Sequence, residues 1–82
     1  MLDKLRAKEK VIGVKQCRRA VRDGSAKLVF LAADADPALT APMEEECLRK
    51  SIPVAAQFTM RELGQAAGIQ VGAAMVALLK ND

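Results

Sequence analysis

The hydrophobic positions of the 82-residue chain fall into two alternating patterns. Four stretches are short and mostly apolar: KVIGV (10–14), KLVFLAA (27–33), PVAAQF (53–58) and VGAAMVALL (71–79). The second and fourth lack polar alternation, so they predict strands covered on both faces. Between the apolar runs the spacing becomes helical. In 15–23, Cys17, Ala20 and Val21 recur three and four residues apart and form one apolar face. Lys15, Arg18, Arg19 and Arg22 recur at the same spacing on the opposite face, and Gly24 is a natural stop. Residues 2–9 predict a short exposed helix touching the core through Leu2 and Leu5. DADPALT (34–40) reads as a turn leading into a helix over 41–50. Thr40 is its expected N-cap, with Pro42 and Glu44 to Glu46 in the first turns, and Met43, Cys47 and Leu48 facing inward. Arg49 and Lys50 stand at its end, where the helix dipole favours cations. Thr59 and Glu62 form the T-x-x-E capping box of a helix running to about Ala67, which Gly68 stops.

Strands alternating with helices place helices on both faces of a sheet. The expected fold is α/β, a three-layer α/β/α sandwich with a small mixed four-stranded sheet. A chain this short makes a single domain, 1–82, with no internal repeat or linker.

Composition narrows the function. The chain is 51% hydrophobic and 28% charged, a globular balance. No apolar run is long enough to span a bilayer, and the charged start MLDKLRAKEK has no apolar signal region, so a cytoplasmic protein without a membrane partner is expected. There is no histidine, which removes the commonest general base. Cys17 and Cys47 show no zinc spacing and read as reduced core thiols, so no metal is expected. Gly64 and Gly68 do not match a dinucleotide fingerprint, and no phosphate loop is present. Asp34 and Asp36 could bind a metal or share a proton, or they could bond nearby backbone in a turn. Neither an enzyme nor a cofactor is expected.

Charge changes the picture most. Residues 1–27 hold nine of the thirteen Lys and Arg against three acids, a balance of +6; residues 28–82 hold four against seven acids, a balance of −3. Such polarity is the footprint of a polyanion partner. Phe30 and Phe58 are the only aromatics and both fall in predicted strands, so a base-stacking platform is excluded. A helix end remains. Gly13 lets a backbone approach closely, the first N–H groups of the helix and Lys15 attract phosphate, and Gln16 can read a base edge.

The ordered set G-x-K-Q (13–16), A-x-D-x-D-P (32–37) and E-L-G-x-A-x-G-I-x-V (62–71), carried on a match from about Val11 to Leu79, resembles the kink-turn-binding L-seven-Ae family of ribosomal proteins. The likeness is greatest to its short bacterial members. It implies the same sandwich fold and a partner RNA with a sharp bend, a bulge and tandem G·A pairs. Lys15, Gln16 and Arg19 match the positions that read the guanines, and Gly13 and Val14 match the backbone lying along the RNA. Gly68, Ile69, Gln70 and Val71 match an apolar loop that covers flipped nucleotides. Lys15-Gln16 stands where archaeal members carry Asn-Glu, and Arg19 where lysine is common. For Ile69 and Val71, packing at a strand entrance remains the other reading. The resemblance implies a non-catalytic monomer that binds structured RNA, with ribosomal RNA, the ribosome and a riboswitch all open as partners. A protein-interaction scaffold that has lost RNA binding would instead show an exposed apolar patch on the acidic half. A nucleotide-binding enzyme subunit would need a deep pocket at Asp34 or Asp36.

Overall fold

The computed structural model describes residues 4–5 and 9–80. Along the chain these form β1 (Lys10–Ile12), α1 (Val14–Arg22), β2 (Ala26–Leu31), α2 (Pro37–Arg49), β3 (Val54–Ala55), α3 (Met60–Ala67) and β4 (Met75–Leu79). The helix expected over 2–9 lies largely outside the described residues. Its Leu5 is described, and that side chain is fully buried.

The sheet is mixed, with strand order β1-β4-β2-β3. β4 runs antiparallel to both β1 and β2, and β2 runs parallel to β3. The two central strands come from the two continuous apolar runs, as their lack of alternation predicts. Successive side chains of β2 point to opposite faces. Val29 and Leu31 pack with Met75 and Ala77 beneath α1 and α2, against Cys17, Ala20, Val21, Met43 and Cys47. Phe30 packs with Val76 and Leu78 on the other face, against Leu63 and Ala67 of α3 and against Leu5. The three layers follow from this division of one core into two. Cys17 and Cys47 are free, buried thiols in the first cluster.

Several elements differ from expectation: β1, read over 10–14, stops at Ile12, because Gly13 caps α1 and Val14 opens it. α2 begins at Pro37, with Asp36 rather than Thr40 as its N-cap: Asp36 Oδ1 accepts from the Ala38 N–H at 3.0 Å. Pro37 has no N–H to satisfy and its fixed φ suits the first helical position, so the helix starts one turn early. Thr40 therefore sits inside the helix, and Glu44 to Glu46 lie well past its first turn. Leu48 does not face the core and is 80% exposed. It lies about 100° around the helix from Cys47, outside the narrow stripe that touches the sheet.

The last two strands are also shorter than their apolar runs. β3 keeps two residues, and Phe58 leaves the sheet to set its ring 6.1 Å from that of Phe30. β4 begins at Met75, because the backbone before it bonds elsewhere: the Ala73 N–H donates to the Met60 carbonyl at 3.0 Å. Residues 69–74 are thus a loop lying on α3.

Candidate nucleic-acid interface

The topology gathers several backbone termini at one end of the sheet. β1, β2 and β3 run in one direction, since β1 and β2 both oppose β4. Each is followed by a helix, so α1, α2 and α3 all begin at the carboxyl end of these strands. In open α/β sheets ligands bind at that end, where loops and helix N-termini converge.

Two of the three helix starts are closed by the protein's own side chains. Asp36 caps α2. At α3, the Glu62 N–H donates to Thr59 Oγ1 at 3.1 Å and the Thr59 N–H donates to Glu62 Oε1 at 2.9 Å, the capping box read from the sequence. Asp34 Oδ1 accepts from the Met60 N–H at 2.8 Å, adding a second carboxylate to the same helix start. Asp36 therefore performs the local turn bonding expected of it, whereas Asp34 reaches across to a different element.

α1 is different. Its N-cap is Gly13, at φ 105° and ψ 163°, with no side chain to fold over the first N–H groups and no acid in the first turn. The Gly13 N–H is itself used, donating to the Met75 carbonyl at 3.0 Å. That bond ties the open helix end to the start of β4. Lys15, Gln16, Arg18, Arg19 and Arg22 are all exposed, while Cys17, Ala20 and Val21 are buried, as the periodicity indicates. Val14 is half-buried and packs on the core beneath α1. The positive helix end thus coincides with Lys15, while Arg18 and Arg19 follow about one turn on and Arg22 stands at the far end of the helix. Burial pushes the Cys17 thiol, directly beneath, up to about 12, with the neighbouring Cys47 adding to the effect; it stays neutral and cannot offset the cations above it.

The 68–74 loop reaches the same sheet end, because it feeds β4 at Met75, next to Gly13. Gly68 closes α3 in the left-handed region at φ 84°. The Gly68 N–H donates to the Gln65 carbonyl and the Ile69 N–H to the Gly64 carbonyl, the paired bonds of a Schellman ending. Ile69 is half-buried against the core and Gln70 is exposed. Val71 is 71% exposed, so packing at a strand entrance, which fits Ile69 in part, does not describe Val71. A groove of about 530 Å³ runs along the loop, lined among others by Asp34, Arg61, Gln65, Ile69 and Val71.

Two glycines that position this loop escaped the sequence reading. A Cβ on Gly64 would stand 2.1 Å from the Val71 carbonyl oxygen, and one on Gly72 would stand 3.2 Å from Met60 Cβ. Only bare backbone at Gly64 lets the loop lie this close to α3. A glycine inside a helical pattern was the available signal.

The match to known proteins decides the lineage. The model of the ribosomal protein L7Ae/L30e/S12e/Gadd45 family matches residues 2–82. The chain belongs to this family. An RNA-binding protein of Geobacillus sp. strain WCH70 is 41% identical over 76 residues, covering 93% of each chain. An RNA-binding protein of Bacillus pumilus is 42% identical over 69 residues, covering 84% of each. Among solved structures, the Giardia lamblia 15.5kD RNA binding protein superposes with a TM-score of 0.88 at 27% identity, covering 99% of this chain and 70% of its own. A Bacillus halodurans protein of unknown function superposes with a TM-score of 0.86 at 26% identity, covering 96% and 83%. Family members thus share the sandwich described above, and the relatives are named as RNA-binding proteins rather than enzymes. Among the described residues no three Cys, Asp or Glu side chains gather as a metal site, and no helix is long and apolar enough to cross a membrane.

Proposed function

We propose that this protein binds structured RNA and stabilises a kink-turn, using the open end of α1 together with the loop before β4. The observation that carries the reading is the contrast among helix starts: α1 alone of the three lacks a side-chain cap, and its first turn exposes Lys15 and Gln16, with Arg19 one turn on. In this reading Gly13 and Val14 lie along the RNA backbone, Lys15 and Arg19 hold phosphates or guanines, and Gln16 reads a G·A edge. Gly68, Ile69, Gln70 and Val71 cover nucleotides that leave the stack, which an apolar surface suits. The names of the relatives and the family resemblance support RNA as the partner.

A nucleotide-binding enzyme is disfavoured, because Asp34 and Asp36 both spend an oxygen on helix N–H groups. The test is a binding titration with a standard kink-turn and with the same RNA lacking its tandem G·A pairs. Base contacts specify while phosphate contacts position. The kink-turn is expected to bind at least tenfold more tightly. Equal affinities would reduce the protein to a non-specific RNA binder and refute the kink-turn reading.

A further inference from the structure

Arg18 and Arg22 have no part in the proposed function, yet they continue the same charged surface. At about 100° per residue, Arg18, Arg22, Lys15 and Arg19 project within one arc of about 100° around α1, and Arg22 lies within about 20° of Lys15. Gln16 and Asp23 fall together beyond Arg19, at the edge of that arc. Lys15 and Arg22 are seven residues apart, so the cations form a track about 10 Å long, from the open helix start to the opposite end. All of them are exposed, and Arg18 and Arg22 have no hydrogen bond or ion pair through their guanidinium groups among the described residues. The far half of the track also stays positive. The last carbonyls of a helix carry its negative pole, but Lys50 Nζ donates to the Arg22 carbonyl at 2.8 Å and brings a further cation there. The Asp23 carboxylate, on the other rim, accepts from the Ser25 N–H at 3.0 Å. Glu46 borders the groove between α1 and α2, and Arg49 engages its carboxylate. That groove, of about 250 Å³, is lined among others by Val14, Arg18 and Arg22, so it opens directly off the helix start.

We infer that Arg18 and Arg22 hold the phosphate backbone of the RNA stem that continues past the tandem G·A pairs. The inference rests on the kink-turn reading and sets how far along the RNA the protein reaches. In that reading the loop before β4 covers the bulge beside Gly13, and the first turn of α1 meets the G·A pairs. The later turns of α1 lead away from that loop, so they meet the stem beyond. In a regular A-form stem the major groove is too deep and narrow for side chains to read, which leaves the phosphates as partners. Arginine suits them, because its planar fork bonds two phosphate oxygens at once. Continuity favours RNA over an acidic protein segment: Val14 lines both the groove and the helix start, and Lys15 projects beside Arg22. One phosphate strand can therefore pass from Lys15 onto Arg18 and Arg22 without leaving α1. Phosphate contacts position without reading sequence, so the stem is held by its charge and not by its bases.

The test pairs a kink-turn RNA with the same RNA carrying uncharged methylphosphonate linkages in the stem past its G·A pairs. Wild type is expected to bind the fully charged RNA roughly tenfold more tightly. The double variant Arg18→Ala, Arg22→Ala is expected to lose that preference, with circular dichroism confirming the fold. On the charged RNA its slope of log affinity against log salt should fall by about 1.5, since each phosphate contact contributes about 0.7–0.9. On the methylphosphonate RNA its affinity and slope should match wild type. Arg18→Lys with Arg22→Lys should restore the slope, which lost packing alone would not do. Lys27→Ala with Lys80→Ala removes the same charge from exposed positions outside α1 and should keep the preference intact. Changing the base pairs of the stem at constant length should leave affinity unchanged. The inference is overturned if the arginine variant keeps the preference, if it weakens both RNAs equally, or if stem sequence alters affinity tenfold. It also falls if the Lys27, Lys80 variant matches the arginine variant, since the effect would then be a diffuse field. Any of these results in a protein that still discriminates against RNA lacking the G·A pairs leaves the kink-turn reading standing. Loss of that discrimination in wild type would refute the kink-turn reading and this inference with it.

Discussion

α1 and α3 start at the same end of the sheet and end alike, each with a glycine in the left-handed region, Gly24 at φ 80° and Gly68 at φ 84°. Their starts differ completely. α3 begins under Thr59, Glu62 and Asp34, which between them satisfy backbone N–H groups and set negative charge against the positive helix end. α1 begins at a glycine with no cap, and its first turns bring cations. For folding alone the α1 arrangement is the poorer one: a capping side chain is worth about 1 kcal/mol, and cations near a helix N-terminus are unfavourable. A small protein that closes two helix starts and leaves the third open keeps that end available to an external anion. α3 does the complementary work. Its closed start and bare Gly64 fix the apolar loop beside the open end.

The contrast can be broken most strongly at Lys15. Lys15→Glu is expected to lower kink-turn affinity about a hundredfold, since a charge-assisted contact is worth roughly 1.5–3 kcal/mol and repulsion replaces it. The slope of log affinity against log salt should also flatten. An unchanged affinity in that titration would mean that α1 is not where RNA is held. Gly64→Ala attacks the other partner. Its new Cβ meets a backbone oxygen, which cannot swing aside as a side chain tip would, so stability is expected to fall by about 1–3 kcal/mol in urea. The folded fraction should bind the kink-turn more weakly at every salt concentration with the slope retained; a steeper or flatter slope would assign the loop an electrostatic role instead.

Thr59→Ala sharpens the comparison by opening α3. A loss of about 1 kcal/mol in stability is expected, with RNA affinity nearly unchanged, because Asp34 and Glu62 keep negative charge at that helix start beside Arg61. Tighter RNA binding by this variant would show that any open helix end at this face suffices. The smallest effect is expected at the opposite end of α1. The Ser25 side chain, then its N–H, hold the Asp23 carboxyl below the usual carboxylate range. A depressed carboxyl adds stability that is present above its unfolded pKa and is lost as pH falls through the folded one. Asp23→Asn should therefore cost a little stability at pH 7 and nothing once the acid is protonated, as read by urea unfolding at pH 7 and pH 3. Asp23 is exposed, so a large loss at pH 7 would point to a backbone change instead.

Local patterns carried much of this molecule. The two faces of α1 were legible because Cys17, Ala20 and Val21 repeat at helical spacing and the cations fill the gaps. The capping box at Thr59 and the stop at Gly68 were legible because each is a bond or a dihedral set within a few residues. The central strands were legible as unbroken apolar runs. Where local signals competed, the reading slipped. At the start of α2, Asp36-Pro37 and Thr40 with Pro42 both look like helix openings, and only one can be used. Leu48 looked like core because a helix period does not state how wide a stripe the sheet will cover.

Other features exist only through tertiary structure. Gly13 and the 68–74 loop are far apart in the chain and meet because β1 pairs with β4, so that Gly13 bonds to Met75. Asp34 closes α3 rather than its own turn because β2 and β3 run parallel and bring Asp34 to Met60. The groove between α1 and α2 appears only when both helices lie on one face of the sheet. Sequence by itself determined where α1 and α3 form, which face of α1 turns inward, and where the charge is carried, since those depend on neighbours three or four positions away. What stands beside each helix start was decided by strand pairing between distant segments, a non-local contact that leaves no periodic trace in the chain.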